Sequence, residues 1–397
     1  MKAIIAGGGI GGLNAALCFN KFGWEVEVLE QASELGEVGA GIQISPNGVK
    51  VLRALDVADA VGTDAFTPLS AQFRGGYSGR MIAKTRMGER MEDRYGAPYW
   101  HIHRADLIAA LAHTVETRIP GAVRTGTTVI GYGQDESSAW AELSNGERVT
   151  GDIVIGADGI KSAIREQMLG AAKPRFTGNV AWRAVVPVSE LGNHVPPPAA
   201  CVWFGEGKHV VTYLLRRGTL ANLVGVVERD DWTVESWTEQ GTKKEAMRDF
   251  AGWHPTIRKI IDKAEAHYRW ALFDRDPLDQ WTEGRVALLG DSCHPMLPFM
   301  AQGAVMAIED GYVLARELAN HAEVETALSS YFSRRRDRTA KVQLGARRNM
   351  GVFHQRTLKG KLKTYAPLWL ASRVSPDKFD ERNDWLYGQD VTDNAGD

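Results

Sequence analysis

Glycines and one acid are the first residues in this chain whose spacing suggests chemistry. Gly7, Gly9 and Gly12 form a G-x-G-x-x-G pattern within Gly7-Gly8-Gly9-Ile10-Gly11-Gly12, and Glu30 follows at the end of the next apolar run. The first glycine permits a tight strand-to-helix turn, the second lets the backbone approach a pyrophosphate, and the third lets the helix pack closely on the strand. A helix N-terminus presents unpaired N–H groups and a positive dipole end to phosphate. A carboxylate at Glu30 accepts hydrogen bonds from a ribose diol and repels a 2′-phosphate, which predicts a site for FAD or NAD rather than NADP.

Three further groups lie far along the chain. They are His103-Arg104-Ala105-Asp106, Asp158-Gly159 followed by Ser162 and Arg165, and Gly290-Asp291 followed by Ser292-Cys293-His294-Pro295. The last leads on to Pro298, Gln302-Gly303-Ala304 and Glu309-Asp310. In Lys208-His209-Val210-Val211-Thr212-Tyr213-Leu214-Leu215, His209, Val211 and Tyr213 share one face by the strand period of two. Other chemistries lack their signatures. Gly290-Asp291-Ser292-Cys293-His294 is not G-x-S-x-G, His101, His103 and His113 have no zinc-type partners, and there is no P-loop. Cys201 and Cys293 read as small apolar fillers.

The elements that must position these residues follow from patterning. Ala3-Ile4-Ile5-Ala6 is an uninterrupted apolar run, as expected of a strand buried on both faces. Residues 13–22 read as a helix stopped by Gly23, and residues 24–30 alternate as a second strand. Residues 152–158 and 285–291 are apolar strands ending at Asp158-Gly159 and Asp291. Residues 180–187, 202–215 and 221–228 alternate, which predicts an antiparallel sheet. The tail from about 323 is helical and basic (Arg334-Arg335-Arg336, Arg338, Lys341, Arg347-Arg348), and its bland reading is a solvated face with ion pairs. His294 is expected to shape its turn, and residues 389–397 read as frayed.

Composition narrows the class. The chain has 397 residues, 44% hydrophobic and 24% charged, which is globular. Lys and Arg total 47 against 49 Asp and Glu, a formal charge of −2, so no nucleic-acid partner is expected. No apolar stretch is long enough for a membrane span. The N-terminal glycines break any signal-peptide core, and three widely spaced cysteines argue for a reducing compartment. A cytoplasmic protein is expected, as a monomer or homodimer.

With these motifs in this order, the chain resembles the group A FAD-dependent aromatic hydroxylases, the para-hydroxybenzoate and salicylate hydroxylase family, over roughly residues 1–340. The Gly-rich fingerprint, Asp158-Gly159 and Gly290-Asp291 are that family's three signatures. The resemblance implies an α/β fold: a Rossmann-like FAD-binding domain from residues 1–75, 100–175 and 270–320, an inserted antiparallel substrate sheet from 76–99 and 176–269, and C-terminal helices over 321–397. It implies that Glu30 holds the adenosine ribose, Arg104 lies near the pyrophosphate and Asp291 bonds the ribityl chain. The helix from Gly303 would point its N-terminus at the flavin. Asp158 would serve FAD and nicotinamide nucleotide binding; its plainer reading is a helix N-cap. The implied cofactor contacts also include Gly9, Ile10, Gly11, Gly12, Gln31, Gly41, Ile42, Val129, Pro298 and Ala304.

The same resemblance implies the reaction. NADH or NADPH reduces FAD, O2 adds to give a flavin C4a-hydroperoxide, and its distal oxygen attacks an electron-rich ring. A phenolate is a far better nucleophile than a phenol, so a base must take the hydroxyl proton. His209, with an ordinary pKa near ~6.5, is the implied base. Tyr213 and Gln302 are implied to bind the substrate hydroxyl or carboxylate, and Arg183 is a candidate for the carboxylate. The absence of a second G-x-G-x-x-G fits a transiently bound nicotinamide, and the absence of C-x-x-C sets disulfide reductases aside.

The expected substrate is a small phenolic aromatic acid, salicylate-like or 3-hydroxybenzoate-like, with a 6-hydroxynicotinate type second. Urate-type hydroxylases, isoprenoid epoxidases and phenazine hydroxylases share the motifs. From other classes, a non-oxygenating FAD protein and an NAD-only dehydrogenase stay open at this stage.

Overall fold

The computed structural model describes residues 1–36, 40–229 and 240–393. Its first layer is a six-stranded sheet in the order Thr282–Glu283, Val286–Leu288, Ile153–Gly156, Lys2–Ala6, Glu25–Leu29, Val123–Arg124. Apart from the short edge strand Thr282–Glu283, the strands run parallel. Ala3, Ile4, Ile5 and Ala6 are wholly buried, as are Ile153, Val154 and Ile155. Both faces of these strands are covered, so their sequences are apolar runs rather than alternations.

Helix Ile10–Lys21 covers one face and packs on helix Gly303–Asn320. Glycine allows that approach. A Cβ on Gly311 would lie 2.9 Å from Asn14 Nδ2 and 3.1 Å from Ala15 Cα. The Asn14 amide donates across the seam to the Ile308 carbonyl at 3.0 Å. A Cβ on Gly12 would lie 1.9 Å from the Gly7 carbonyl oxygen, so only glycine lets this helix begin so close to its strand.

The second layer is a seven-stranded sheet in the order Tyr268–Asp274, Arg175–Pro187, Leu220–Glu228, Lys208–Leu215, Ala200–Gly205, Ser70–Gly75, Met81–Arg86. It is antiparallel except where Ser70–Gly75 joins Ala200–Gly205. One face, with Trp182, Trp203 and Leu223, is packed with Phe250, Trp253, Ile257 and Ile260. The other, with Ala181, Phe204, Val226 and Trp270, meets Leu297, Phe299 and Phe353. This two-sided burial is the product of the period-two pattern.

The sheet redraws two expected boundaries. The family resemblance places residues 70–75 and 270–274 in the FAD-binding part, but both belong to strands of the seven-stranded sheet. Each lies beside a crossing between layers, where nothing in the local pattern marks which sheet takes the strand. The expected single stretch 202–215 is two strands joined by a turn at Gly205-Glu206-Gly207. A two-stranded antiparallel sheet, Gly41–Ile44 with Trp100–His103, and a three-stranded sheet from Val129–Gln134, Ala139–Leu143 and Arg148–Gly151 complete the β-structure described.

The basic tail forms helix Val324–Phe353 and helix Leu358–Val374. It is not simply a solvated face. Arg335 is 1% exposed and lies between two fully buried acids of helix Gly303–Asn320. Its Nη1 is 2.6 Å from Glu309 and its Nε is 2.7 Å from Asp310. Arg338 adds 2.8 Å to Glu309, and His294 Nε2 lies 2.5 Å from Asp310. Burial would raise both acids, but Arg335, with Arg338 on Glu309 and His294 on Asp310, holds them below the usual carboxylate range. The end of the chain is also better anchored than expected. Val391 is buried and its carbonyl accepts from Arg316 at 3.1 Å; residues 394–397 of the expected frayed end lie outside the described residues.

Removing one member of such a cluster strands a buried charge, at roughly 3–5 kcal/mol. Arg335→Met is therefore expected to lower the thermal midpoint by several degrees. A midpoint equal to wild type in a thermal melt would contradict this account of the cluster.

Candidate active site

A cavity of about 300 Å³ opens between the C-terminal ends of the parallel strands and the inner face of the seven-stranded sheet. Its dinucleotide side is built by Gly9, Ile10, Gly11, Gly41, Ile42, Arg104, Asp291, Pro298, Gly303 and Ala304. Gly12 stands just behind, at the helix–strand contact.

Two helix N-termini end at this wall, at Ile10 and Gly303, and neither is capped by a side chain. Their N–H groups are thus left for an anion. A Cβ built on Gly9 meets nothing within 4 Å, so the space before it is open. Gly7 turns at φ +109°, where a Cβ would strike the Ala157 carbonyl at 2.4 Å. Open space at the second glycine and close packing at the first and third are what a pyrophosphate cradle needs, so these residues fit a bound dinucleotide.

Glu30 follows strand Glu25–Leu29. It accepts from the Gly8 N–H at 2.6 Å and from the Ala32 N–H at 2.8 Å. The acid therefore braces the Gly-rich loop, and each of its oxygens keeps a lone pair for a further donor. Gln31 is exposed beside it. Val129 begins its strand against the main core and does not line the cavity.

Asp158 also lies off the cavity wall, which is made by its neighbours Ala157 and Gly159. Its Oδ2 accepts from the N–H groups of Ala163 (2.8 Å) and Ile164 (3.3 Å), and its Oδ1 accepts from Ser292 Oγ at 3.1 Å. The Gly159 N–H donates to the same hydroxyl at 3.0 Å. Asp158 thus anchors the start of helix Ala163–Leu169 and ties the second motif to the third. Asp291 does face the cavity. Its side chain is exposed to that open space, and the protein atoms crowded around the cavity push its carboxyl above the usual range despite nearby His294 and Arg104.

The substrate side is lined by Arg183, His209, Val211, Tyr213, Val224 and Val226, with Leu297 and Phe299 opposite. His209, Val211 and Tyr213 share the cavity face as the period-two reading expects. Register places His209 beside Val226 and Val211 beside Val224. The alternation of residues 221–228 carries the signal for those two valines, and the register with strand Lys208–Leu215 selects their face.

His209 is 1% exposed, edge-on to Phe299 and Phe353, and its Nδ1 is 2.7 Å from His354 Nε2. Burial, reinforced by His354, holds its proton affinity well below that of an ordinary histidine. Tyr213 packs against Gly41, where a Cβ would lie 2.4 Å from its ring, and against the His101 ring at 4.7 Å between centroids. Burial raises its hydroxyl pKa. Arg183 lies over the Trp270 ring at 4.3 Å.

Gln302 lines the cavity, but its amide is already engaged. Nε2 donates to Ser45 Oγ at 2.9 Å, and Oε1 accepts from Asn47 at 3.4 Å. Asn47 in turn donates to Glu309 at 2.6 Å. Gln302 thus ties the loop to the buried ion cluster while lining the cavity. His294 is consumed by Asp310, as its turn-shaping reading implies. Cys201 and Cys293 are buried with thiols raised by burial, as fillers should be.

Comparison with known proteins gives a consistent answer. Residues 1–345 match the family model described as FAD binding domain. The chain is 36% identical over 393 residues to 3-hydroxybenzoate 6-hydroxylase of Polaromonas naphthalenivorans, covering 98% of this chain and 96% of that one. It is also 36% identical over 399 residues to 6-hydroxynicotinate 3-monooxygenase of Pseudomonas fluorescens, covering 98% and 96% of the two. Among solved structures, Klebsiella pneumoniae HpxO complexed with FAD and uric acid superposes with a TM-score of 0.84 at 28% identity, covering 94% of each chain. A salicylate hydroxylase substrate complex gives 0.81 at 27% identity, covering 98% and 96%. The chain belongs to this FAD-binding family and is an FAD-dependent monooxygenase.

The contrast between Gly9 and Gly12 is testable. Gly9→Val adds a side chain only to open cavity, so the apoprotein is expected to keep its circular dichroism and lose FAD affinity at least about tenfold, ~1.4 kcal/mol. Undiminished FAD binding by a folded variant would contradict the cradle.

Proposed function

We propose that this family member hydroxylates a small phenolic aromatic carboxylic acid, salicylate-like or 3-hydroxybenzoate-like, with NADH or NADPH and O2 as co-substrates. The observation that carries the reading is His209, set into an apolar cavity wall that it shares with Tyr213 and Arg183. FAD held in the Gly9–Gly12 cradle would supply, with the nicotinamide as reductant, an electrophilic oxygen drawn from O2.

The chain's own residues do the rest. The N–H groups at Gly9 to Gly12 hold the pyrophosphate, Glu30 the ribose and Asp291 the ribityl chain. The N-terminus of helix Gly303–Asn320 favours negative charge on the reduced flavin by a fraction of a kcal/mol up to ~2. Arg183 holds the substrate carboxylate. His209 takes the hydroxyl proton, so that the ring carbons ortho and para to the oxygen gain electron density. Val211, Val224, Leu297 and Phe299 keep water away from the reacting atoms.

A hydroxylated pyridine carboxylic acid is the second reading, favoured by the 36% identity to 6-hydroxynicotinate 3-monooxygenase. The cytoplasm is the compartment that suits three buried, unpaired cysteines. No helix among the described residues is long and apolar enough to cross a membrane.

Hydroxylated benzoates and pyridine carboxylates should be screened for stimulated NAD(P)H oxidation with a hydroxylated product. At least one phenolic acid is expected to be converted. His209→Ala should retain FAD and lose roughly 10²-fold or more in coupled hydroxylation, with partial recovery at high pH. Consumption that no aromatic acid stimulates would refute the substrate class, and coupled turnover at the wild-type rate would refute the base.

A further inference from the structure

The contact behind His209 extends to the surface. His209 Nδ1 is 2.7 Å from His354 Nε2, and His354 Nδ1 is 2.8 Å from Glu228 Oε1. His209 is 1% and His354 6% exposed, whereas the Glu228 side chain is 33% exposed. Arg356 pairs with the other oxygen of Glu228 and is itself mostly exposed. The three relay groups come from three separated segments: strand Lys208–Leu215, strand Leu220–Glu228 and the residue that ends helix Val324–Phe353.

Hydrogen-bond logic fixes the proton positions along this line. An ionised carboxylate only accepts, so His354 carries its proton on Nδ1. Its Nε2 then accepts from His209 Nδ1–H, and His209 is left with an unprotonated Nε2 on the cavity side. We propose that Glu228 and His354 form a proton relay that presents His209 Nε2 as a lone pair to the cavity and carries a substrate's phenolic proton out to solvent. This rests on the hydroxylase reading given above.

The transfer balances. The phenol O–H bond breaks as His209 Nε2–H forms, and His209 Nδ1–H passes to His354 Nε2. His354 Nδ1–H passes to Glu228 and so to water. No electrons are exchanged.

A lone His209 would be a poor base. Phe299 and Phe353 flank its ring, and burial disfavours its charged form. The relay removes the need to keep that charge. The surrounding charges are consistent with outward transfer. Arg183, Arg104 and Asp291 share the cavity with His209. Arg356 faces Glu228, with the Glu206–Lys361 pair nearby, and Arg229 on the following residue is turned to Asp249. Burial tends to raise Glu228, but Arg356 and His354 outweigh it and keep the acid ionised at neutral pH. His354 and Glu228 are positioning residues, because neither lines the cavity.

The test uses the FAD-loaded enzyme with 3-hydroxybenzoate as the probe, reading the phenolate absorbance of the bound ligand across pH. Glu228→Gln and His354→Leu are expected to raise the midpoint of ligand ionisation by about one pH unit, a tenfold shift. They should lower kcat near neutral pH, leave KM little changed and recover kcat in alkali. A midpoint and a pH profile equal to wild type in either folded variant would overturn the relay. A second measurement needs no ligand. Nitrogen-15 spectra of labelled histidine should place both protons on Nδ1 and shift both resonances in Glu228→Gln. A His209 protonated on Nε2 would overturn the proposal. If 3-hydroxybenzoate does not bind, the substrate reading fails while the histidine spectra still decide the relay.

Discussion

The charge cluster of Arg335 with Glu309 and Asp310 holds the two ends of the site in one frame. Helix Gly303–Asn320 carries both acids, helix Val324–Phe353 carries the cation, and the turn at Gly290 donates its N–H to Asp310 at 3.1 Å. Asn47 and Gln302 extend the same network to helix Pro46–Ala54 and to the loop before Gly303. An interior of low dielectric makes such contacts strong when complete and costly when broken. Apolar residues of equal volume would fill the space, but they would not fix the direction of each partner. Direction matters here, because Asp291 and the N-terminus of helix Gly303–Asn320 must both face one cavity.

Within that frame the two layers divide the work. The parallel sheet and its two uncapped helix N-termini offer donors and positive potential, suited to a phosphate-bearing cofactor. The seven-stranded sheet offers a largely apolar face from which Arg183, His209 and Tyr213 reach the cavity as polar groups, suited to a flat acid with one ionisable hydroxyl. Glycine joins the layers. Gly41 donates its N–H to Asn222 Oδ1 at 2.9 Å and leaves room for the Tyr213 ring. Substrate-side and cofactor-side residues therefore keep a common register.

How much of this was legible in the sequence depended on the range of the interaction. The Gly-rich fingerprint is local, and the strand, helix and second strand appear within two residues of the expected bounds, except that the helix starts at Ile10. The shared face of His209, Val211 and Tyr213 followed from the strand period alone. Long-range partners were not legible. Asp158 and Gln302 looked available as polar groups, yet Ser292, Ser45 and Asn47 engage them across the fold. Arg335 sits in a basic run that reads as surface, and only the fold brings it to Glu309 and Asp310. His354 carries no local pattern, and it meets His209 from a helix end far along the chain. Residues 70–75 and 270–274 join the other sheet for the same reason, since sheet membership is decided by distant neighbours.

The central claim is that distant segments converge on one flavin site and present an electron-rich ring to oxygen there. Isotope tracing tests it most directly. The FAD-loaded enzyme would be supplied with NAD(P)H and 3-hydroxybenzoate under oxygen-18 gas, and the product examined by mass spectrometry. The account predicts a hydroxylated acid carrying a single labelled oxygen on the ring. Peroxide as the only oxygen product, or a ring oxygen drawn from water, would contradict it.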